Sequence, residues 1–587
     1  MMTDWMRTNR KTEEKKMSMN KNIARLAVTA GLTAALSFGG VMAPVTMAFA
    51  EGAAGSITIN KVDEANKDNT FKAYQIFKAK VADEGSKGKV ASDIEWSSTT
   101  IGRKVIAAIK RSAKYKEIVD ADGAAALADS ATAPVVAEWL AKNVTGTSAS
   151  SATSSEGTRV APGDVLYAIA AAITDETPAG NSFKVDDSWT RPDAYGDGYY
   201  LFVPDGLTNP AKPNTGTSPI FAIVGGKSVT VTEKTSIPTV KKEVHEGKAW
   251  GKRSDSYIGE EVEYKLTGSV ASNIDTFTKY EYSFHDHLSA GLEASENSVK
   301  VKIDDTVIQP TNGYTVNLAD TTDASGHLTG GHDLTISFSD LKAAATNAGV
   351  TLKGDSKVVV TYNAKLTGEA EYTATGNTND VKLVYSNNPM TDGKGTSESD
   401  EVTDYVFGLD VTKTASDNPN KKLVAGFKVK MTKEGTTPVN GEKWLTETGG
   451  LTDDSGKAGV FKTKETDSKV FIPGLVAGEY EITECETPAG YNSISFTIVV
   501  TPTYNETTGK LTGLSVKPSS NMVTSQLGEK VTSTRIPITI ENKKGSNLPL
   551  TGLNGVTFTW IAGGAVLCIG VAHLIRSRKQ AEESEQE

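Results

Sequence analysis

The chain has 587 residues, too many for one core and enough for three or four domains. A mixed, mildly acidic charge, formally −10, lacks the basic footprint of a nucleic-acid binder. Aromatic residues are only 7%, and many short Thr/Val-rich runs broken by Gly, Asn and Asp predict mostly β structure.

The N-terminus reads as a targeting signal. Lys15, Lys16, Lys21 and Arg25 precede an apolar stretch over residues 26–45, which ends in Ala48-Phe49-Ala50. That order is a signal peptide over residues 1–50, with an A-x-A cleavage site and a mature chain beginning near Glu51. The polar stretch ahead of it makes Met17 and Met19 alternative starts.

Residues 51–235 read as a first domain. Ser56 to Lys61 alternates like a strand, and residues 71–81 are its expected hairpin partner. A helical insertion follows. Ile101, Val105, Ala108 and Ile109 make one helical face; Val135, Val136, Trp139 and Leu140 make a second, behind Pro134; residues 165–173 make a third. The Ser/Thr-rich stretch 145–155 is expected to be a mobile loop. Strands at 198–203, 220–224 and 229–232 close the domain. A break at Pro238 leads into a second domain, 236–403, with strands expected at 261–266, 299–303, 333–338, 357–366 and 381–385. Its clean alternation predicts an antiparallel sandwich. The third domain, 404–545, begins near Phe407 and ends in Ile538-Thr539-Ile540-Glu541-Asn542.

Each domain opens on an apolar β-former, one residue, then lysine: Ile59-Asn60-Lys61, Val240-Lys241-Lys242 and Val411-Thr412-Lys413. The period of two puts each lysine on the face of the apolar residue, toward the core. Lysine is rarely buried without a partner. A solvated edge lysine is the competing explanation, and it is favoured for Lys61.

The C-terminal segment 546–587 carries Leu548-Pro549-Leu550-Thr551-Gly552, an apolar run at 556–575, then Arg576, Arg578 and Lys579. About 20 apolar residues span a bilayer, and the basic tail fits the positive-inside rule. In this order the elements resemble the LPxTG cell-wall sorting signal. Cys485 and Cys568 are the only cysteines, and Cys568 lies in the apolar run. Cleavage before that run leaves no intramolecular disulfide.

These features together resemble the shaft pilins of sortase-built Gram-positive pili, over nearly the whole mature chain. The fold the resemblance implies is mainly β: tandem immunoglobulin-like (Cna-type) β-sandwich domains, the first with a helical insertion, between a signal peptide and a transmembrane sorting helix. It implies an N-terminal pilin domain, a fimbrial D2-type sandwich and a Cna B-type, prealbumin-like sandwich. It also implies self-formed Lys–Asn isopeptide bonds. In the third domain Tyr480, Ile482, Glu484, Pro488, Gly490 and Tyr491 follow the family pattern, with isoleucine for leucine. Glu484 falls on its catalytic acid, Lys413 on its first-strand lysine and Asn542 on its last-strand asparagine. In the second, Asp286 precedes a Leu-x-x-Gly-Leu-like turn and Lys242 matches the opening lysine. Asn379 fits best as the asparagine that begins the final strand, with Asn377 and Asn387 as alternatives. A polymerising lysine is expected between the first two domains. Lys234 is preferred on spacing and Lys241 is the alternative; the family's Tyr-Pro before this lysine is missing here. The resemblance further implies pilin-specific and housekeeping sortases, other copies of the chain and peptidoglycan as partners, with accessory pilins and host or matrix ligands as further candidates. It implies a cell-wall-anchored surface location, no cofactor and no enzymatic turnover.

The implied chemistry needs three residue types. Burial disfavours a charged ammonium and frees the lysine amine to attack. Burial also keeps a carboxylic acid protonated, so that it can polarise the asparagine amide and shuttle protons while ammonia leaves. Other readings are weaker. His285 and His287 share the strand face opposite Asp286, which leaves too few ligands for a metal. A non-polymerised wall-anchored adhesin or accessory pilin would need a ligand domain, for which only the helical insertion qualifies. A wall-anchored enzyme would need a convergent cleft, a phosphate loop or a triad, and none is legible.

Overall fold

A computed structural model describes residues 55–83, 89–120, 124–144, 159–207, 209–247, 249–322, 328–528 and 530–545. The expected signal peptide, the 145–155 loop, and the sorting signal with its apolar helix lie outside the described residues. No helix among the described residues is long and apolar enough to cross a membrane.

The N-terminal unit has two sheets. Strand Ser56–Asn60 lies between Ser188–Thr190, antiparallel, and Val229–Thr232, parallel. Thr70–Asp83 belongs to a different, five-stranded sheet, beside Lys89–Trp96 and Gly198–Asp205. The expected hairpin between the first two strands is therefore corrected. Trp189 and Val231, buried on the small sheet, and Phe71 and Phe202, buried on the large one, share a core with Ile57 and Ile59, so the two sheets face each other instead of pairing edge to edge. The three expected helices are Thr99–Arg111, Ala133–Asn143 and Val165–Ile173. Ser98 caps the first by accepting from Ile101 N at 3.1 Å, and Ile101, Val105, Ala108 and Ile109 are its buried face. A further helix, Ala113–Asp120, is too short and too polar to stand out by periodicity; Tyr115 and Ile118 are its buried residues.

The middle sandwich packs two seven-stranded sheets around one core. In the first sheet Val240–Glu246, Glu261–Ser269 and Lys357–Leu366 are consecutive neighbours; in the second, Asp400–Tyr405, Asn377–Ser386, Tyr282–Leu288 and Leu328–Phe338 are. Every second residue of Glu261–Ser269 and of Lys357–Leu366 is buried, the alternation a one-sided sheet requires. The domain boundary expected after Thr403 falls inside strand Asp400–Tyr405.

The C-terminal sandwich sets a four-stranded sheet against a seven-stranded one. Its first strand, Phe407–Ala415, and its last, Arg535–Asn542, are neighbours and run parallel, with Lys413 opposite Ile540 and Ala415 opposite Asn542. Parallel neighbours need a long crossover; here the rest of the sandwich supplies it.

Candidate functional site

In the C-terminal sandwich the alternation of Phe407–Ala415 turns Lys413 inward, and that of Arg535–Asn542 does the same for Asn542. Glu484 comes from Gly478–Glu486 on the opposite sheet. The three side chains meet in the core. Lys413 Nζ donates to Asn542 Oδ1. Asn542 Nδ2 donates to Glu484 Oε1 at 2.9 Å and Oε2 at 3.0 Å, and Glu484 Oε1 is 3.7 Å from Lys413 Nζ. Ile494 N also donates to Glu484 Oε2, at 3.1 Å, which fixes the carboxyl. The Lys413 and Glu484 side chains are fully buried. Burial pulls the Lys413 ammonium down to about 8, against the opposing pull of Glu484. The amine is thus poised to lose its proton while touching the amide it would attack.

The second group has the same members in another arrangement. Lys242 and Asp286 are fully buried and paired, Lys242 Nζ donating to Asp286 Oδ1. Burial lowers the lysine and raises the carboxylic acid, while their mutual attraction opposes both shifts. Asn379 is buried too, but its Nδ2 donates to the Tyr362 hydroxyl at 2.8 Å, and Lys242 Nζ donates to the same oxygen at 3.2 Å. Asp286 Oδ2 and Asn379 Oδ1 are buried without a hydrogen-bond partner. Asn379 does not begin the final strand as expected: it lies in Asn377–Ser386, which Lys394–Thr396 and Asp400–Tyr405 follow. Those two short strands add onto the strand that holds it, so the register, not chain order, brings Asn379 inward. Tyr362 was not legible as a site residue. In Lys357–Leu366 it is one more inward aromatic, and only its contacts set it apart.

The alternatives are placed elsewhere. Asn377 is buried, but it accepts from Glu371 N and donates to Asp404 O, tying backbone segments together. Asn387 donates to Asn214 of the N-terminal unit. Lys61 is about a third exposed and bonds Asp186 at 2.5 Å, which raises its pKa. Strand Ser56–Asn60 ends one residue before it, with Asn60 opposite Thr232. Lys234 is half-buried at the junction of the N-terminal unit and the middle sandwich, where burial and Arg159 pull it to about 8. A polymerising lysine has to be reached by a neighbour, which calls for an exposed side chain, and Lys234 is not fully exposed: its backbone N donates to the Thr217 hydroxyl at 3.0 Å, and the adjacent Thr235 hydroxyl donates to Asn273 of the middle sandwich at 2.8 Å. Lys241 is exposed and paired with Glu243 at 2.8 Å. His285 and His287 face away from the core, His287 toward Asp333. Among the described residues no group of three or more His, Cys, Asp or Glu is placed to hold a metal ion.

No family model matches the chain, and no curated protein sequence does. Solved structures of similar shape include the T6 backbone pilin of serotype M6 Streptococcus pyogenes, at 13% identity and a TM-score of 0.47, covering 84% of this chain and 100% of that one. The full-length major pilin SpaD from Corynebacterium diphtheriae shows 16% identity and a TM-score of 0.44, covering 84% and 98%. BcpA, the major pilin subunit of Bacillus cereus, shows 16% identity and a TM-score of 0.33, covering 63% and 93%.

Proposed function

We propose that this chain is a structural subunit of a Gram-positive surface pilus, stapled internally by Lys413–Asn542 and Lys242–Asn379 isopeptide bonds. In this reading it is polymerised by sortase at Thr551 and anchored to peptidoglycan. The observation that carries it is the buried contact of Lys413 with Asn542 and Glu484. An amine, a carboxamide and a carboxyl with no solvent between them have no ordinary reason to share a core, where an uncompensated charge costs several kcal/mol. Condensation removes that cost: the lysine nitrogen first gives up its extra proton, then attacks as the neutral amine and passes one further proton to the asparagine nitrogen, which leaves as ammonia. Each site reacts once, so the chemistry is maturation without turnover.

The arrangement suits a load-bearing filament. The first and last strands of the C-terminal sandwich are parallel neighbours. Pulling on the two ends of this unit therefore shears them past each other. A covalent tie there takes force that would otherwise fall on hydrogen bonds worth about 1 kcal/mol each. Intact mass of the wall-released subunit tests the proposal. It should begin near Glu51, end at Thr551 and be lighter than that sequence by two ammonia losses of about 17 Da each. A mass equal to the sequence mass would refute both bonds, and a retained 556–575 segment would refute the sorting signal.

A further inference from the structure

We propose that Tyr362 completes the second cross-linking group, its hydroxyl relaying a proton from the nitrogen that attacks to the nitrogen that leaves. This rests on the cross-link reading above. Condensation of Lys242 with Asn379 forms a bond from Nζ to the amide carbon and breaks the bond from that carbon to Nδ2. One proton must pass from Nζ to Nδ2 for ammonia to depart. In the C-terminal sandwich a single carboxyl oxygen, Glu484 Oε1, lies 2.9 Å from the leaving nitrogen and 3.7 Å from the attacking one, so the acid can carry the proton itself. Asp286 is one methylene shorter. It holds Lys242 Nζ, and among the described residues no hydrogen bond joins it to Asn379.

The Tyr362 hydroxyl fills that gap. It contacts Nδ2 at 2.8 Å and Nζ at 3.2 Å, the two atoms that exchange places at the amide carbon. A hydroxyl can accept one proton and release another in the same step, which is what the exchange requires. No oxidant or further reactant enters. With its oxygen accepting from both nitrogens, the phenol proton is left to point at another acceptor. Asp286 Oδ2 is buried without a partner, and Tyr362 lies close enough to Asp286 to act on its proton affinity. The ring is held for the task. Tyr362 stands opposite Tyr264 on the neighbouring strand, with the rings stacked at 5.4 Å and 15° apart, and Lys242 Nζ is 5.5 Å from the centre of the Tyr362 ring. Both tyrosines are buried, so no water competes for the hydroxyl.

The test follows cross-link formation in newly made full-length chain by pulse-chase and peptide mapping, counting the Lys242–Asn379 and Lys413–Asn542 linked peptides in the same sample. Tyr362→Phe keeps the stack and removes the hydroxyl. It should slow the Lys242–Asn379 link by roughly 100-fold, the scale of a lost proton-transfer group, and leave the Lys413–Asn542 link at its normal rate. Formation of the Lys242–Asn379 link at the wild-type rate in Tyr362→Phe overturns the proposal. A second variant separates relay from folding: Tyr362→Phe combined with Asp286→Glu lengthens the acid to the reach of Glu484 and should recover at least part of the rate. A double variant that keeps the native near-ultraviolet circular dichroism yet gains nothing over Tyr362→Phe also overturns it. Wild-type chain carrying no Lys242–Asn379 peptide at all would sink the cross-link reading itself, a result distinct from either.

Discussion

At the scale of single residues, what separates Lys413 and Lys242 from Lys61 is one strand position. All three lie two residues after an apolar β-former, but strand Ser56–Asn60 ends before Lys61, which turns out to meet Asp186 at the surface. The other two stay within their strands and are carried into the core. Period-two reasoning therefore found the two buried lysines, whereas Glu484 and Asn542 came from the resemblance to the shaft-pilin pattern, and both are buried in their strands. It could not find Tyr362, whose role lies in two contacts rather than in its position. The acids give the sharpest residue-level prediction. Glu484→Ala and Asp286→Ala should each restore about 17 Da to the intact mass, one retained ammonia apiece. Two variants with unchanged mass would show that neither acid is needed.

At the scale of elements, strands were easier to read than their partners. Residues 357–366 and 220–224 emerge as strands, and residues 165–173 as a helix, with the bounds expected from the sequence. Pairing depends on contacts distant in sequence, so the partner of Ser56–Asn60 was misjudged. The helix Leu341–Asn347 is two turns long and buries Leu341, Ala344 and Ala345, too little for a periodic signal. The parallel first and last strands of the C-terminal sandwich carry an energetic prediction. A bond between Lys413 and Asn542 closes a loop of over a hundred residues, for which the chain-entropy estimate is about 4–5 kcal/mol, by analogy with disulfides. Asn542→Ala should lower the melting temperature of that sandwich and admit trypsin. It also leaves Lys413 as an unreacted amine with a folded pKa near 8, below its usual 10.5. Between those values the unfolded chain binds more protons than the folded one, so stability rises with pH. Relative to wild type, in which a cross-linked nitrogen would not titrate, the variant should regain stability from about pH 8 to pH 10.5. A pH-independent difference would mean that Lys413 is not buried as an amine.

At the scale of the molecule, the two junctions behave differently. Between the middle and C-terminal sandwiches lies a seam of carboxyls: fully buried Asp404, bonded by Ser256 at 2.9 Å, with half-buried Asp255 and Glu260. Asp255 accepts from Ala477 N across the seam. Burial pushes Asp404 to about 8 and Asp255 and Glu260 to about 7, with Glu246 and Glu434 adding repulsion and Arg253 relieving it. Folded carboxyls that hold protons the unfolded chain has lost make stability fall as pH rises. The seam should loosen between about pH 4 and pH 8, read as faster amide exchange at Ala477 at the alkaline end. Asp404→Asn should flatten that dependence, and an unaltered profile would show that Asp404 does not titrate in the seam.

The other junction bears on assembly. Head-to-tail growth is a heterologous contact that does not close into a ring, so it needs a nucleophile far from the subunit's own C-terminus. Lys234 lies between the N-terminal unit and the middle sandwich, and Lys241 in the first strand of the middle sandwich, Val240–Glu246, both with the C-terminal sandwich still to come. They differ in surroundings. Lys241 is exposed and paired with Glu243 at 2.8 Å. Lys234 is half-buried, and its pKa near 8 leaves about a tenth of it as neutral amine at pH 7. That fraction is what an acyl-enzyme can use. Arginine in its place keeps the charge but stays protonated. Lys234→Arg should therefore abolish the high-mass ladder in wall extracts of the producing bacterium, while the subunit still forms its internal bonds and reaches the wall as a monomer. Lys241→Arg should leave the ladder intact. A ladder lost in Lys241→Arg but kept in Lys234→Arg would move the assignment to the exposed lysine, and a ladder surviving both changes would place the nucleophile elsewhere in the chain.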